Sequence, residues 1–302
     1  MTDRASELYT LDEDVARELA DARPVLLHAL TGFVDAGGAG RVAVEHLLER
    51  FRPTRLVTFE VDELVDYRSR RPMMTFDASV WSDYEAPSLV LDLLRDTEGT
   101  AFLLLHGSEP DIRWERFVAA VVGLVERFDV ALTIGMNGVP MGVPHTRPIG
   151  STVHGTVPEA GEGHAWFGTV AVPAAVDALL EFRLSEQGHE AMGVAVHVPH
   201  YLAASSYPEA AIVALRQVER VSGLDLGVGA LAEPAATAQA EVQRQVGEDT
   251  DVAAVVSALE QQYDTITARL GPVLAPGDLP TADELGEQFE RFLAQQIPPD
   301  QG

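Results

Sequence analysis

Over the first 200 residues, short runs of β-branched and aliphatic residues alternate with stretches whose apolar positions recur at helical spacing. That alternation predicts an α/β fold, with a mixed central sheet flanked by helices. Val25–Leu30 reads as a buried strand, followed by a Gly-rich turn over Thr31–Gly40 and a helix with Val42, Leu47, Leu48 and Phe51 on its apolar side. Arg55–Val61, Leu89–Leu94, Ala101–His106, Val130–Ile134, Ile149–Thr156 and Gly193–Val198 read as further strands. Between the first and second of these, Asp62–Glu85 is rich in aromatic and arginine residues and reads as a protruding hairpin or flap.

Helices are expected after Asp111 as N-cap, with Phe117, Val118, Val121, Val122, Leu124 and Val125 facing the core, and over Ala174–Leu184. Pro208 at a first helical position opens another over Glu209–Val221. Gly135–Pro148 reads as a Gly/Pro-rich connection. From about Gly229 strand signals cease, and Pro234–Val246, Val252–Leu270 and Thr281–Gln296 read as three helices. The expected organisation is an α/β core over 1–228, a helical extension over 229–296 and a disordered tail over 297–302.

Composition narrows the chemistry. All 21 basic residues are arginines and there is no cysteine, so neither a lysine amine nor a thiolate of this chain can act. With 47 acidic residues the net charge is −26, which disfavours nucleic acid and anionic lipid as partners. The densest basic cluster is Arg68, Arg70 and Arg71. Apolar runs such as Ala101–Leu105 fall well short of the roughly 20 residues that span a bilayer. The N-terminus carries no apolar signal segment, so a cytoplasmic protein is expected.

Three loops after strands carry candidate chemistry. Gly32–Gly40 has the outer frame of a phosphate-binding loop, but Gly38 and Ala39 stand where lysine and a hydroxyl are required. Asp35 there would repel an anion from the positive end of the following helix, and reads better as its cap. His106 and Glu109 could form an acid–base pair, and Asn137, His145 and Arg147 suit an oxyanion or carboxylate. Neither a HExxH nor a GxSxG pattern is present, and no cofactor or metal is expected.

The same segments carry a resemblance. Gly32-Phe33-Val34-Asp35-Ala36-Gly37, His106-Gly107-Ser108-Glu109-Pro110 with Trp114, and Pro144-His145-Thr146-Arg147-Pro148 resemble the prokaryotic branch of the proteasome assembly chaperone family. Val198-Pro199-His200-Tyr201, Tyr207-Pro208 and Leu259 to Asp264 extend the likeness into the helical region. It implies a core similar to the purine nucleoside phosphorylase fold, with added C-terminal helices, and self-association, with a trimer as the expected state. Eukaryotic members guide proteasome α-ring assembly and dock through a hydrophobic–Tyr–any tail, which Pro299 to Gly302 do not supply. Two functions follow: a non-catalytic assembly protein with proteasome subunits as partners, which is preferred, or a small-molecule (nucleoside- or anion-) binder or enzyme. In the second, Asp35, His106, Glu109, Asn137, His145 and Arg147 would line the pocket, with Arg147 holding an anion and His106 or Glu109 moving a proton.

Overall fold

The structure, a computed structural model, describes residues 8–20, 22–157, 169 and 171–270. The chain begins with strand β1 (Tyr9–Leu11), helix α1 (Glu13–Arg17), strand β2 (Val25–Thr31), helix α2 (Ala39–Arg50) and strand β3 (Thr54–Phe59). A hairpin of β4 (Met74–Asp77) and β5 (Val80–Tyr84) precedes β6 (Leu89–Arg95), β7 (Ala101–Ser108), α3 (Trp114–Arg127), β8 (Leu132–Met141) and β9 (Ser151–Gly155). Then come α4 (Val176–Glu186), β10 (Ala191–Pro199), α5 (Pro208–Ser222), α6 (Ala232–Glu248) and α7 (Thr250–Leu270).

Eight strands form one mixed sheet in the order β1-β3-β6-β7-β2-β8-β10-β9, and β4 and β5 form a separate ribbon. The centre, β7-β2-β8-β10, is parallel, while β1, β6 and β9 run antiparallel to their neighbours. Central strands are buried on both faces, which is why Val25–Leu30 and Phe102–Leu105 are apolar without interruption apart from His28. Leu27, Ala29, Leu104, Ile134 and Val196 pack with α2 and α5 on one face. Leu26, Leu30, Leu103, Leu105 and Leu91 pack with α3 and α4 on the other. Each such leucine contributes roughly 2 kcal/mol of transfer free energy, so the two layers together hold the sheet.

Two local expectations are corrected, and one pair of elements is added. Asp111 does not cap α3, which begins at Trp114 after Arg113 in the left-handed region (φ 61°). Asp111 is instead occupied by the backbone of Asp66 and the guanidinium of Arg70. The Gly/Pro-rich stretch after Ile134 is not all loop, because β8 continues to Met141 and pairs with β10 as far as Pro199. Its glycines make room for neighbours: a Cβ on Gly135 would lie 2.8 Å from the His28 ring, and one on Gly138 only 2.0 Å from the Ala36 carbonyl oxygen. The short pair β1 and α1 carries too few residues for a periodic signal; Asp12 sets α1 by accepting from the amides of Asp14 and Val15. The proposed helix Thr281–Gln296 and the tail 297–302 lie outside the described residues.

Candidate functional site

β2, β3, β7, β8 and β10 all point the same way, so the turns that follow them gather along one rim of the sheet. From adjacent β2 and β7 the chain departs to opposite faces, into α2 and α3, which is the place where sheets of this kind open a crevice. All six residues singled out from the sequence lie on or just behind this rim, yet their bonds sort them into four separate groups.

Asp35 is the cap the sequence suggested. Its Oδ1 accepts from the amides of Gly40 (2.9 Å) and Gly138 (3.0 Å), and its Oδ2 accepts from that of Arg41 (3.0 Å). The carboxylate thereby ties the turn both to the start of α2, where negative charge is favourable, and to β8. Asn137 supports the same turn by donating from Nδ2 to the Val34 carbonyl at 3.4 Å.

Glu109 sits on the other face. Its side chain is buried, and Oε1 accepts from the backbone amide of Val176 (2.8 Å) at the start of α4. Burial pushes its carboxyl above the usual range, with Asp177 and Asp111 adding to the rise, against the Val176 amide and Arg70. Beside it, Arg70 donates to the Thr31 carbonyl (3.0 Å), to the Glu109 carbonyl and to Asp111 Oδ1 (2.5 Å). One guanidinium thus fastens the root of the hairpin segment to the ends of β2 and β7. Next to this, His28 is fully enclosed and its Nδ1 lies 2.7 Å from Asp177 Oδ1, a second pin on α4. Arg70, His28 and Asp177 were missed by the sequence reading. An imidazole inside the run Val25–Leu30 was the available signal, because a His there needs a buried partner.

Glu109→Gln tests this arrangement. A glutamine oxygen can still accept from Val176, while the buried charge is gone. Glu109 titrates higher in the folded chain, so its contribution is full below the unfolded value and declines as pH rises through the folded one. The substitution is therefore expected to leave stability at pH 7 equal or higher, whereas Glu109→Ala, which orphans the Val176 amide, costs about 1–3 kcal/mol. Urea unfolding of both variants at pH 5 and pH 8 checks the sign.

His106 belongs to a third group. Its Nε2 is 2.9 Å from Asp92 Oδ2, and Asp92 Oδ1 accepts from Arg55 Nε at 2.5 Å, so the three side chains bridge β7, β6 and β3. Asp92 is almost wholly enclosed, with its side chain 2% exposed. His145 and Arg147 form the fourth. The amide and Nδ1 of His145 are each 2.8 Å from the Tyr201 hydroxyl, its carbonyl accepts from Gln239 of α6, and burial lowers its pKa. Arg147 forks onto Asp264 of α7 (2.8 and 2.7 Å) and reaches Glu260 (3.3 Å), while Thr146 donates to Glu260. The cation proposed for an external anion is thus paired to this chain's own helices.

Two surface hollows include none of the six. One is lined by Glu13, Arg17, Arg23 and Phe128, the other by Ser206, Pro208, Glu233 and Thr237. Among the described residues no group of three or more His, Asp or Glu could hold a metal ion, and no helix is long and apolar enough to cross a membrane.

What the rim does present is apolar surface. In the β4–β5 ribbon, Met74 lies opposite Tyr84 and Phe76 opposite Trp81, so cross-strand pairing puts these four on one face. The Phe76 and Trp81 rings meet at 5.0 Å, yet the four side chains are about half exposed or more, up to 64% for Trp81. Phe33, Val34 and Ile112, also exposed, stand on the turns to which Arg70 fastens the hairpin root.

A mixed eight-stranded sheet with helices on both faces and an apolar rim defines the class of α/β protein this is. The profile of the PAC2 family matches residues 29–246, and the chain belongs to that family. A Mycobacterium tuberculosis protein of unknown function is 44% identical, with a TM-score of 0.84, covering 97% of this chain and 98% of that one. A Corynebacterium glutamicum protein of unknown function is 36% identical, with a TM-score of 0.81 over 88% of this chain and 99% of the other. The fold is also that of an M. tuberculosis proteasome-assembly chaperone homologue, at 24% identity and a TM-score of 0.70 over 77% of this chain and 99% of that one. Comparison with curated proteins gave no match.

Proposed function

We propose that this is a proteasome assembly chaperone-like protein: a non-catalytic interaction protein of the cytoplasm that works as a homo-oligomer and has proteasome subunits as partners. The observation that carries this reading is the half-exposed apolar ribbon of Met74, Phe76, Trp81 and Tyr84. Contiguous aromatic surface of this kind marks a contact with another macromolecule. Family membership gives the contact its direction, since a relative in fold is a proteasome-assembly chaperone homologue.

In this reading Asp35, Asn137, Glu109 and His106 position the rim, and His145 and Arg147 seat the helices from 229 onward against the core of 1–228. The internal bonds of His106, Glu109 and Arg147 weigh against the small-molecule reading, in which those groups would face a ligand. Affinity purification of the tagged full chain from its native cells is the test. Proteasome subunits should co-purify in near-stoichiometric amount with assembly intermediates; recovery of the chain's own oligomer alone overturns the assignment.

A further inference from the structure

We infer that His28 and His154, reaching toward each other across the sheet beside α4, form a site for one divalent transition-metal ion of the zinc, copper or nickel kind. The inference is independent of the chaperone-like assignment and concerns the face of the sheet opposite α2 and α5.

Four register partners make a row across four neighbouring strands: His28 of β2, Gly135 of β8, Gly193 of β10 and His154 of β9. Three strand spacings separate the outer two backbones by about 14 Å. The rings cover most of that distance, because neither inner position carries a side chain. His28 Nε2 lies 3.0 Å from where a Cβ on Gly135 would be, and His154 Nε2 lies 2.6 Å from the corresponding point on Gly193. The ring tips thus stand over adjacent strands, about one spacing of 4.8 Å apart.

α4 holds both rings by their other nitrogen. His28 Nδ1 is 2.7 Å from Asp177 Oδ1, and one helical turn further on His154 Nδ1 is 2.9 Å from Glu181 Oε1. A carboxylate on Nδ1 keeps the proton there and leaves Nε2 as a lone pair, the tautomer and outer contact that imidazole ligands of metals have. Among the described residues neither Nε2 has a hydrogen-bond partner, although His28 is only 2% exposed. An enclosed imidazole nitrogen without a partner costs the fold stability, and a bound cation removes that cost.

The donor set decides the ligand. Two lone pairs backed by two carboxylates repel an anion and attract a cation. Imidazole nitrogen selects zinc, copper or nickel over magnesium or calcium. Zinc–nitrogen bonds of about 2.0–2.1 Å bridge about 4 Å between two nitrogens. His154, with its side chain 47% exposed, is free to close the remainder. With two protein donors the ion keeps positions for water or a small oxygen ligand.

The experiment uses the full chain without an affinity tag, stripped with chelator, and zinc chloride or copper(II) chloride as probe. At pH 7.5 zinc should raise the thermal midpoint saturably, with one ion bound per chain. Copper should give an electron paramagnetic resonance spectrum with two coordinated imidazole nitrogens. Magnesium controls for diffuse attraction to a chain of net charge −26. Glu181→Gln removes the charge behind His154 and should weaken zinc binding by about 10–100-fold, and His154→Ala at least as much. Gly193→Ala changes no donor but puts a methyl where the His154 ring lies, so the same nitrogen should be lost. The hydrogen bond to Glu181 raises the His154 pKa above its ordinary value, so a proton competes with zinc and binding should fall steeply by pH 5.5.

No saturable binding, equal midpoint shifts for zinc and magnesium, or zinc binding that survives both His154→Ala and Gly193→Ala overturns the inference. A wild-type copper spectrum with one nitrogen overturns the pairing of the two rings. Loss of binding in the variants with unchanged circular dichroism supports it, because His154 is exposed and the variants leave the core layers untouched.

Discussion

Gly138→Ala is expected to destabilise the protein by about 3 kcal/mol or more, the upper range for overpacking, because the overlap is with main chain that has no room to retreat. The new methyl would lie 2.0 Å from the Ala36 carbonyl oxygen and within 3.1 Å of that residue's carbonyl carbon and nitrogen. A flexible side chain could swing aside, but the Ala36–Gly38 turn is held on its far side. Gly37 donates to the Ala203 carbonyl at 2.9 Å, and its own carbonyl accepts from Tyr207 at 2.8 Å. Gly37 is itself in the left-handed region (φ 68°), against Val198 and Tyr207. Relief would therefore have to come from β8, breaking the Gly138 amide's bond to Asp35 and with it the cap of α2. Gly123→Ala is the control: that helical glycine is exposed, with nothing near its Cβ, and alanine there should add about 0.5–1 kcal/mol. Urea midpoints for the two variants should move in opposite directions, and equal shifts would show that the turn yields.

That contrast also shows what could be read from the chain and what could not. Val25–Leu30, Ala101–His106 and the helix carrying Phe117 to Val125 are legible because burial on one face or two leaves a period in the residues. The hairpin within Asp62–Glu85 was legible from its aromatic content. β8 was cut short because Gly135 and Gly138 look like turn residues; their function is to let the His28 ring and the Ala36 carbonyl approach, a tertiary reason with no local signature. The candidate site divides in the same way. Asp35 as a cap follows from its place before a helix, whereas the partners of Glu109 and His106 lie 67 and 14 residues away. His145 and Arg147 were assigned to an external anion because nothing near them in sequence announces their partners: Tyr201 and Gln239 for His145, and Glu260 and Asp264 of α7, more than 110 residues later, for Arg147.

Asp92→Ala is expected to cost about 2–3 kcal/mol at pH 7, less than two full charge-assisted bonds would suggest, because Arg55 is half exposed and can turn to water. His106, with its side chain 13% exposed, has less freedom and would lose its only carboxylate partner among the described contacts. Burial would by itself raise the Asp92 carboxyl, but hydrogen bonds from His106 and Arg55, and their charges, outweigh it and hold the pKa below its ordinary value of 3.8. A carboxylate whose folded pKa is depressed contributes its stability above the unfolded value and loses it as pH falls through the folded one. Wild type should therefore lose this increment below about pH 4, and the gap between wild type and Asp92→Ala should narrow there. Asp92→Asn keeps the shape and one acceptor but not the charge, so it should fall between the two at pH 7. The readout that bears on function is the ribbon. The Arg55–Asp92–His106 bridge spans β3, β6 and β7, and the hairpin leaves the sheet between β3 and β6. If the bridge sets the stance of that root, Asp92→Ala should speed amide exchange in β3 and β6 ahead of β8 and β10. Uniform acceleration across the sheet would assign Asp92 to global stability alone.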